Sequence, residues 1–413
     1  MTIWQQHYLI QTMNIKARLK EIPLIYKLNA KFKAARTRYL LGWLIKEYAK
    51  RATAMALSYD ALAIPEMVRQ RLQNRGLCPM RYPKGELEIL WVGANREQDY
   101  SGFVQGLELF GRVHVFTRHN DNYGQEFSRD GKFDAYVAAR NGARLIEQVD
   151  KIITRNRRLD LVIGQMWADY LPVEALQHVQ QKGVVTACIA MDDRLPDFWL
   201  PKNGKMLGVA GLVAGLDLVL TSAPECTIRY LVHGCPAIFW PMASDPGLFR
   251  PAAVKDIDVC FVGNKYGIRG QIIDALKNKG IHVEAYGSGW ANGPIGPDKA
   301  ASVFGRSKII LGVGTIAYNE DVYTLKLRDF DATMAGALYI THRNPDLLEF
   351  FQEGKEIECY TTEEEAVSKI SYYLRHPDEM QRIGGAAAIK ARMFHNWETR
   401  IGEALHVMGL EPI

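Results

Sequence analysis

The stretch PMASDPGLFRPAAVKDIDVCFVGNKYGIRG (241–270) decides the fold. Its first part, 241–256, holds three prolines and little periodicity, which is the composition of a connection between domains. DVCFVG (258–263) is then a short apolar run ended by glycine, and a helix is expected near 268–279. A strand that feeds a helix through a glycine-bearing loop opens a parallel α/β unit. The same grammar already fills the chain upstream, so 241–256 separates two units of one kind. The first runs through LEILWVG (87–93), RVHVFTR (112–118), LDLVIGQM (159–166), VVTACIAM (184–191), LDLVLTS (216–222) and PAIFWPM (236–242). The second continues through IHVEAYG (281–287), KIILGVG (308–314), ALYITH (337–342) and IECYTT (357–362). Nearly continuous apolar strands separated by helices mean sheets covered on both faces. The expectation is α/β: two Rossmann-like, doubly wound parallel-sheet domains facing a central cleft, after an N-terminal helical extension. The boundaries are an extension over 1–80, domains over 81–245 and 246–395, and a terminal helix over 396–413 that crosses back to the first domain. Ligands of such sheets bind at the carboxyl ends of the strands.

The 413 residues are 48% apolar and 23% charged, which excludes a disordered or fibrous chain. The longest uncharged apolar run, Met206–Leu216, is well short of the roughly 18–20 residues that span a bilayer. The six cysteines (78, 188, 226, 235, 260, 359) form no C-x-x-C pair and fit buried, reduced thiols in the cytoplasm. The start MTIWQQHYLIQ has no basic stretch before an apolar core, so no signal peptide is expected. Charge is uneven: residues 1–51 hold eleven Lys/Arg against two acids, while the rest of the chain is slightly acidic. Pro23 is placed to open a helix. On it Lys27, Lys31 and Arg38 share one side, and Ile25, Leu28, Phe32, Tyr39 and Trp43 another, with Arg36 and Lys46 as interruptions. Such a helix either packs on the protein or lies on an anionic membrane surface, and a peripheral position on the inner face through residues 24–51 is the second expectation. Nucleic acid has no recognition motif to support it.

Two segments carry candidate chemistry. In FVGNKYGIRG (261–270), Gly263 and Gly267 let the backbone approach a ligand, and Arg269 adds a planar charge suited to phosphate. In TLKLRDFDATMAGALYITHRNPDLLEFF (324–351), Thr324 is expected to cap a helix that carries Lys326, Arg328 and Asp331 and ends at Gly336. A plain structural turn and solvated helix charges are the alternatives. At the carboxyl end of 184–191, Asp192 and Asp193 are candidate general bases or caps of the next helix. His119 is a further base candidate, Asp99 and Tyr100 follow the first strand of the domain, and Trp290 of YGSGW (286–290) lines a nucleotide pocket or the core. No G-x-S-x-G, H-E-x-x-H or G-x-x-x-x-G-K-[ST] is present.

The order FVG…R, YGSGW, KIILGVG, LKLRDFDATMAGALYITHRNPDLLEFFQEGKEIECY and SYYLRHPDEMQRIG resembles the carboxyl-terminal domain of CgeB-like, spore-maturation type glycosyltransferases. These are GT-B enzymes related to the family-four glycosyltransferases. The resemblance covers about 86–400 and is best over 257–395. It implies transfer of a sugar from a nucleotide-diphosphate donor, UDP- or GDP-type, to a hydroxyl of a glycan, lipid-linked or protein acceptor in cell-surface or envelope glycan assembly. It implies no cofactor and no metal, so cations and amide dipoles must neutralise the leaving diphosphate. Gly263, Arg269, Lys326 and Arg328 would serve there, with Thr324 and Trp290 beside them, and Asp331 stands where a glutamate usually holds the donor ribose. The upstream glutamate of the family-four pattern is replaced by Tyr323, with Glu320 and Asp321 nearby. A nucleotide-sugar 2-epimerase of the same architecture, or a nucleotide- or sugar-binding protein without turnover, are the other outcomes considered.

Overall fold

The computed structural model describes residues 23–128, 133–316, 319 and 322–413. Glu320, Asp321 and the first 22 residues of the basic segment lie outside them. The strands in chain order are β1 (Met80–Tyr82), β2 (Leu87–Val92), β3 (Gly111–Val115), β4 (Leu161–Gly164), β5 (Val185–Ala190), β6 (Leu218–Thr221), β7 (Ala237–Phe239), β8 (Ile257–Val262), β9 (Glu284–Tyr286), β10 (Ser307–Leu311), β11 (Leu338–His342), β12 (Glu358–Tyr360) and β13 (Leu410–Pro412). They form a six-stranded sheet in the order β3-β2-β4-β5-β6-β7 and a five-stranded sheet in the order β12-β11-β10-β8-β9. Every pairing in both is parallel. All residues of β4, β5 and β6 are buried, as central strands covered by helices on two faces must be. The first strand runs correspond to β2–β7 and the later ones to β8–β12.

A short parallel pair of β1 with β13 lay below the resolution of the pattern. Three-residue strands carry too little periodicity to be recognised.

The connection 241–256 is not a loose tether. Met242, Ala243 and Phe249 are buried in the core, and Ser244 N–H donates to the His395 carbonyl at 3.0 Å. The terminal helix Trp397–Val407 packs on the first unit against the helix Phe103–Glu108. Trp397 lies 4.2 Å from the Phe103 ring and 5.9 Å from Trp240, whose Nε1 donates to the Arg400 carbonyl at 2.8 Å. Truncating a buried aromatic of this kind costs about 3–5 kcal/mol, so the crossing helix is part of the first unit's core.

The described residues open in the helix Pro23–Ala54. It packs through Leu44, Tyr48 and Ala52, with Tyr48 Oη and His233 Nε2 at 2.7 Å. The opposite side leaves Phe32, Tyr39 and Trp43 71%, 73% and 43% exposed. No helix among the described residues is long and apolar enough to cross a membrane.

Candidate active site

The carboxyl ends of both sheets border one cleft, where two cavities meet. The smaller, about 380 Å³, is lined by Gly263, Lys326, Arg328 and Asp331 of the second unit and by Asn95, Gln98 and Asp192 of the first.

Gly263 follows β8 with φ +153°, which L side chains rarely adopt. A β-carbon there would lie 2.5 Å from Arg328 Nη2 and 3.3 Å from Arg269 Nη1, so two guanidiniums converge on one backbone position. Arg269 opens the helix Arg269–Asn278. It is buried over the Tyr266 ring at 3.9 Å and donates to the Asn264 carbonyl and Tyr266 Oη, each at 2.8 Å. Arg328 lies in the first turn of the helix Leu327–Met334, donates Nε to the Val262 carbonyl at 2.7 Å, and sits 4.6 Å from the Phe261 ring centre. Among the described residues neither forms an ion pair, and Arg269 Nε and Arg328 Nη1 are buried without hydrogen-bond partners. Burial, then the charge of Arg328, pushes Arg269 down to about 10. Like charges, one buried and one half-buried, held together with no carboxylate in ion-pair contact are the electrostatics of an anion site.

Lys326 precedes that helix and reaches across the cleft, Nζ to Asp192 Oδ1 at 2.9 Å. Asp192 has φ +60° and lines both cavities. The larger cavity, about 800 Å³, belongs to the first unit and includes Phe127, Trp167 and Tyr170. Asp192 therefore stands where the two spaces join.

Asp331 lines the smaller cavity and accepts a hydrogen bond from Ser244 Oγ at 2.8 Å. Burial holds its carboxyl well above the usual carboxylate range.

Four other expected site residues are placed elsewhere. Asp193 turns into the core, where Oδ2 accepts from Thr221 Oγ1 at 2.6 Å and Tyr230 Oη at 3.0 Å, and burial pushes it up to about 7. His119 lies in an exposed turn and lines neither cavity. Thr324 is buried and caps nothing: the helix starts three residues later, and the Asp329 carboxylate accepts the Lys326 N–H at 2.7 Å. Trp290 props the glycine loop from behind, Nε1 donating to the Gly263 carbonyl at 2.7 Å. Asp99 is also structural; it accepts from Ala94 N–H and Tyr123 Oη at 3.0 and 2.7 Å and so shapes the loop that brings Asn95 and Gln98 to the cleft.

Arg194 was not foreseen. It pairs with Glu225 at 2.6 Å, with Asp346 of the second unit at 2.8 Å, and donates to the Tyr323 carbonyl at 2.8 Å, tying the units together. Pro345-Asp346 is conspicuous in the sequence, but its partner belongs to the other unit. Among the described residues no three His, Cys, Asp or Glu side chains gather as metal ligands.

Residues 269–406, about a third of the chain, match the family described as glycosyl transferase-like. Compared by sequence with curated proteins, the chain has no match. Among solved structures it is similar to a sucrose-phosphate synthase from Thermosynechococcus elongatus, with a TM-score of 0.55 at 11% identity over 77% of this chain and 97% of that one. It is also similar to HepE from Anabaena in complex with UDP-glucose, with a TM-score of 0.54 at 11% identity over 78% and 99% of the two chains. A UDP-N-acetylglucosamine 2-epimerase gives a TM-score of 0.50 at 11% identity over 80% and 99%. The fold is GT-B: two Rossmann-like units about a cleft, with a helical N-terminal region.

Proposed function

We propose that the protein transfers a sugar from a nucleoside-diphosphate donor to an acceptor hydroxyl. The observation that carries this is that Arg269 and Arg328, neither in an ion pair among the described residues, converge on Gly263, with Arg328 and Lys326 lining the cavity that reaches Asp192. The couple would neutralise the departing diphosphate, and the Asp192 carboxylate would take the acceptor proton. Asp331 faces the same cavity and is the candidate contact to the donor ribose. Arg328 and Lys326 line the space for the diphosphate and Arg269 converges on the same glycine, so the reaction would need no divalent metal. Since HepE is a similar structure in complex with UDP-glucose, UDP-sugars are the first donors to try. In a thermal-shift titration of UDP-, GDP-, CMP- and dTDP-sugars, one donor class at 100 times its Kd is expected to add ~2.7 kcal/mol of stability, equally in EDTA. No shift with any of them would remove the proposal. Release of nucleotide with a 2-epimerised sugar and no acceptor would replace transfer with epimerisation, and binding without turnover would leave a binding protein.

We also propose peripheral attachment to an anionic membrane, consistent with envelope glycan assembly. The outward side of the helix Pro23–Ala54 carries Phe32, Arg36, Tyr39, Trp43, Lys46 and Lys50 at alternating four- and three-residue steps. Aromatic rings suit the interface, and each cation near such a surface contributes about 1 kcal/mol. The protein should float with phosphatidylserine vesicles and not with phosphatidylcholine vesicles. Replacing Trp43, Lys46 and Lys50 by serine should abolish flotation, and unchanged flotation would count against this face.

A further inference from the structure

The larger cavity has a chemistry of its own. Phe127 meets Tyr170 edge-on at 4.8 Å and Trp167 at 6.2 Å, so three rings form one wall. Among the described residues, the remainder carries the carboxylates of Asp169, Asp192 and Asp197 and the ammonium of Lys202. Asp169 is fixed by the Gly208 N–H at 2.8 Å, and Arg36 approaches Asp197 from outside at 3.5 Å. At about 800 Å³ the space is near the upper end of the roughly 300–1,000 Å³ usual for small-molecule sites.

Resting on the transfer proposed above, we infer that this cavity takes an uncharged saccharide as acceptor, one ring against the Trp167–Phe127–Tyr170 wall and its hydroxyls turned to the carboxylates. The C–H face of a sugar ring is apolar and lies well on an aromatic face. Its hydroxyls donate to carboxylates in charge-assisted hydrogen bonds. Asp192 and Asp197 are paired with Lys326 and Arg36, but Asp169 has no ion-pair partner among the described residues, so a phosphate seated beside it would meet an uncompensated like charge. An aliphatic alcohol would strip water from the same carboxylates and return at most the one hydrogen bond its single hydroxyl can donate. The cavity opens toward the donor space at Asp192, so a saccharide seated on the rings presents an outer hydroxyl to that carboxylate.

Saturation-transfer NMR on the full chain tests this without any donor, using cellobiose, lactose, glucose 6-phosphate and n-octanol as probes. The disaccharides are expected to take up saturation from the protein's aromatic protons, and the other two to take up none. Trp167→Ala should weaken disaccharide binding about tenfold or more, and Trp167→Tyr should restore most of it, which a folding defect would not. Binding of glucose 6-phosphate or octanol as tight as that of the disaccharides, failure of both disaccharides to bind, or wild-type affinity in Trp167→Ala would overturn the assignment. Because donor is absent, such a result would leave the transfer reaction standing. Conversely, a failed donor titration would remove transfer while the saccharide binding measured here remained.

Discussion

Arg328→Met is expected to lower kcat/KM for the donor by about 10²–10³, a loss of roughly 3–4 kcal/mol of transition-state stabilisation. The guanidinium is aimed at the Gly263 position and is half-buried, and its Nη1 is buried without a partner among the described residues, so its interaction with a diphosphate is made where water screens it only in part. Methionine keeps the bulk against Phe261 and removes the charge. The unliganded protein should melt no lower than wild type, because the change also removes a like charge from beside Arg269. Lysine at 328 should rescue little, since a point charge cannot donate to the Val262 carbonyl and grip a phosphate together. Wild-type turnover in Arg328→Met, measured as nucleoside diphosphate release, would place the diphosphate elsewhere.

Asp192→Asn should lower kcat by about 10²–10⁴ while the donor KM changes little, the signature of a lost general base. Asparagine is isosteric and tolerates the left-handed backbone found at this position, so the loss would be chemical and not conformational. The ion pair given up with Lys326 involves a carboxylate 45% exposed, and such pairs contribute about 0–1 kcal/mol, so the melting temperature should move little. Asp193→Asn is the control at the neighbouring position. Its carboxyl touches Thr221 and Tyr230 in the core, so this change should alter stability before turnover. A wild-type kcat in Asp192→Asn would exclude the carboxylate as the base.

The two aspartates show where sequence reasoning stops. Residues that follow one another at the end of a strand tend to point to opposite sides, and sequence alone does not say which side is cleft. Here Asp192 faces the cleft and Asp193 the core. The N-terminal helix poses the same problem: its period was legible, but the rings on its expected apolar side stayed outside, while Leu44, Tyr48 and Ala52 of the other side found the first unit. At 324–336 the turn before the helix absorbed Thr324, because the cap lies at Lys326, two residues later, where the Asp329 carboxylate accepts the backbone N–H.

Alternation of apolar strands with helices, and the proline-bearing break at 241–256, determined from the sequence alone that two parallel-sheet units stand in tandem. That information is local: hydrophobic period and glycine or proline punctuation act within one or two turns of chain. Only the tertiary structure decided that Arg269 and Arg328, from different helices, meet at one glycine, that Lys326 crosses to Asp192, and that Arg194 joins the units. A charged side chain acquires its meaning from what desolvates it and what lies opposite, and here both are supplied by residues far away in the chain.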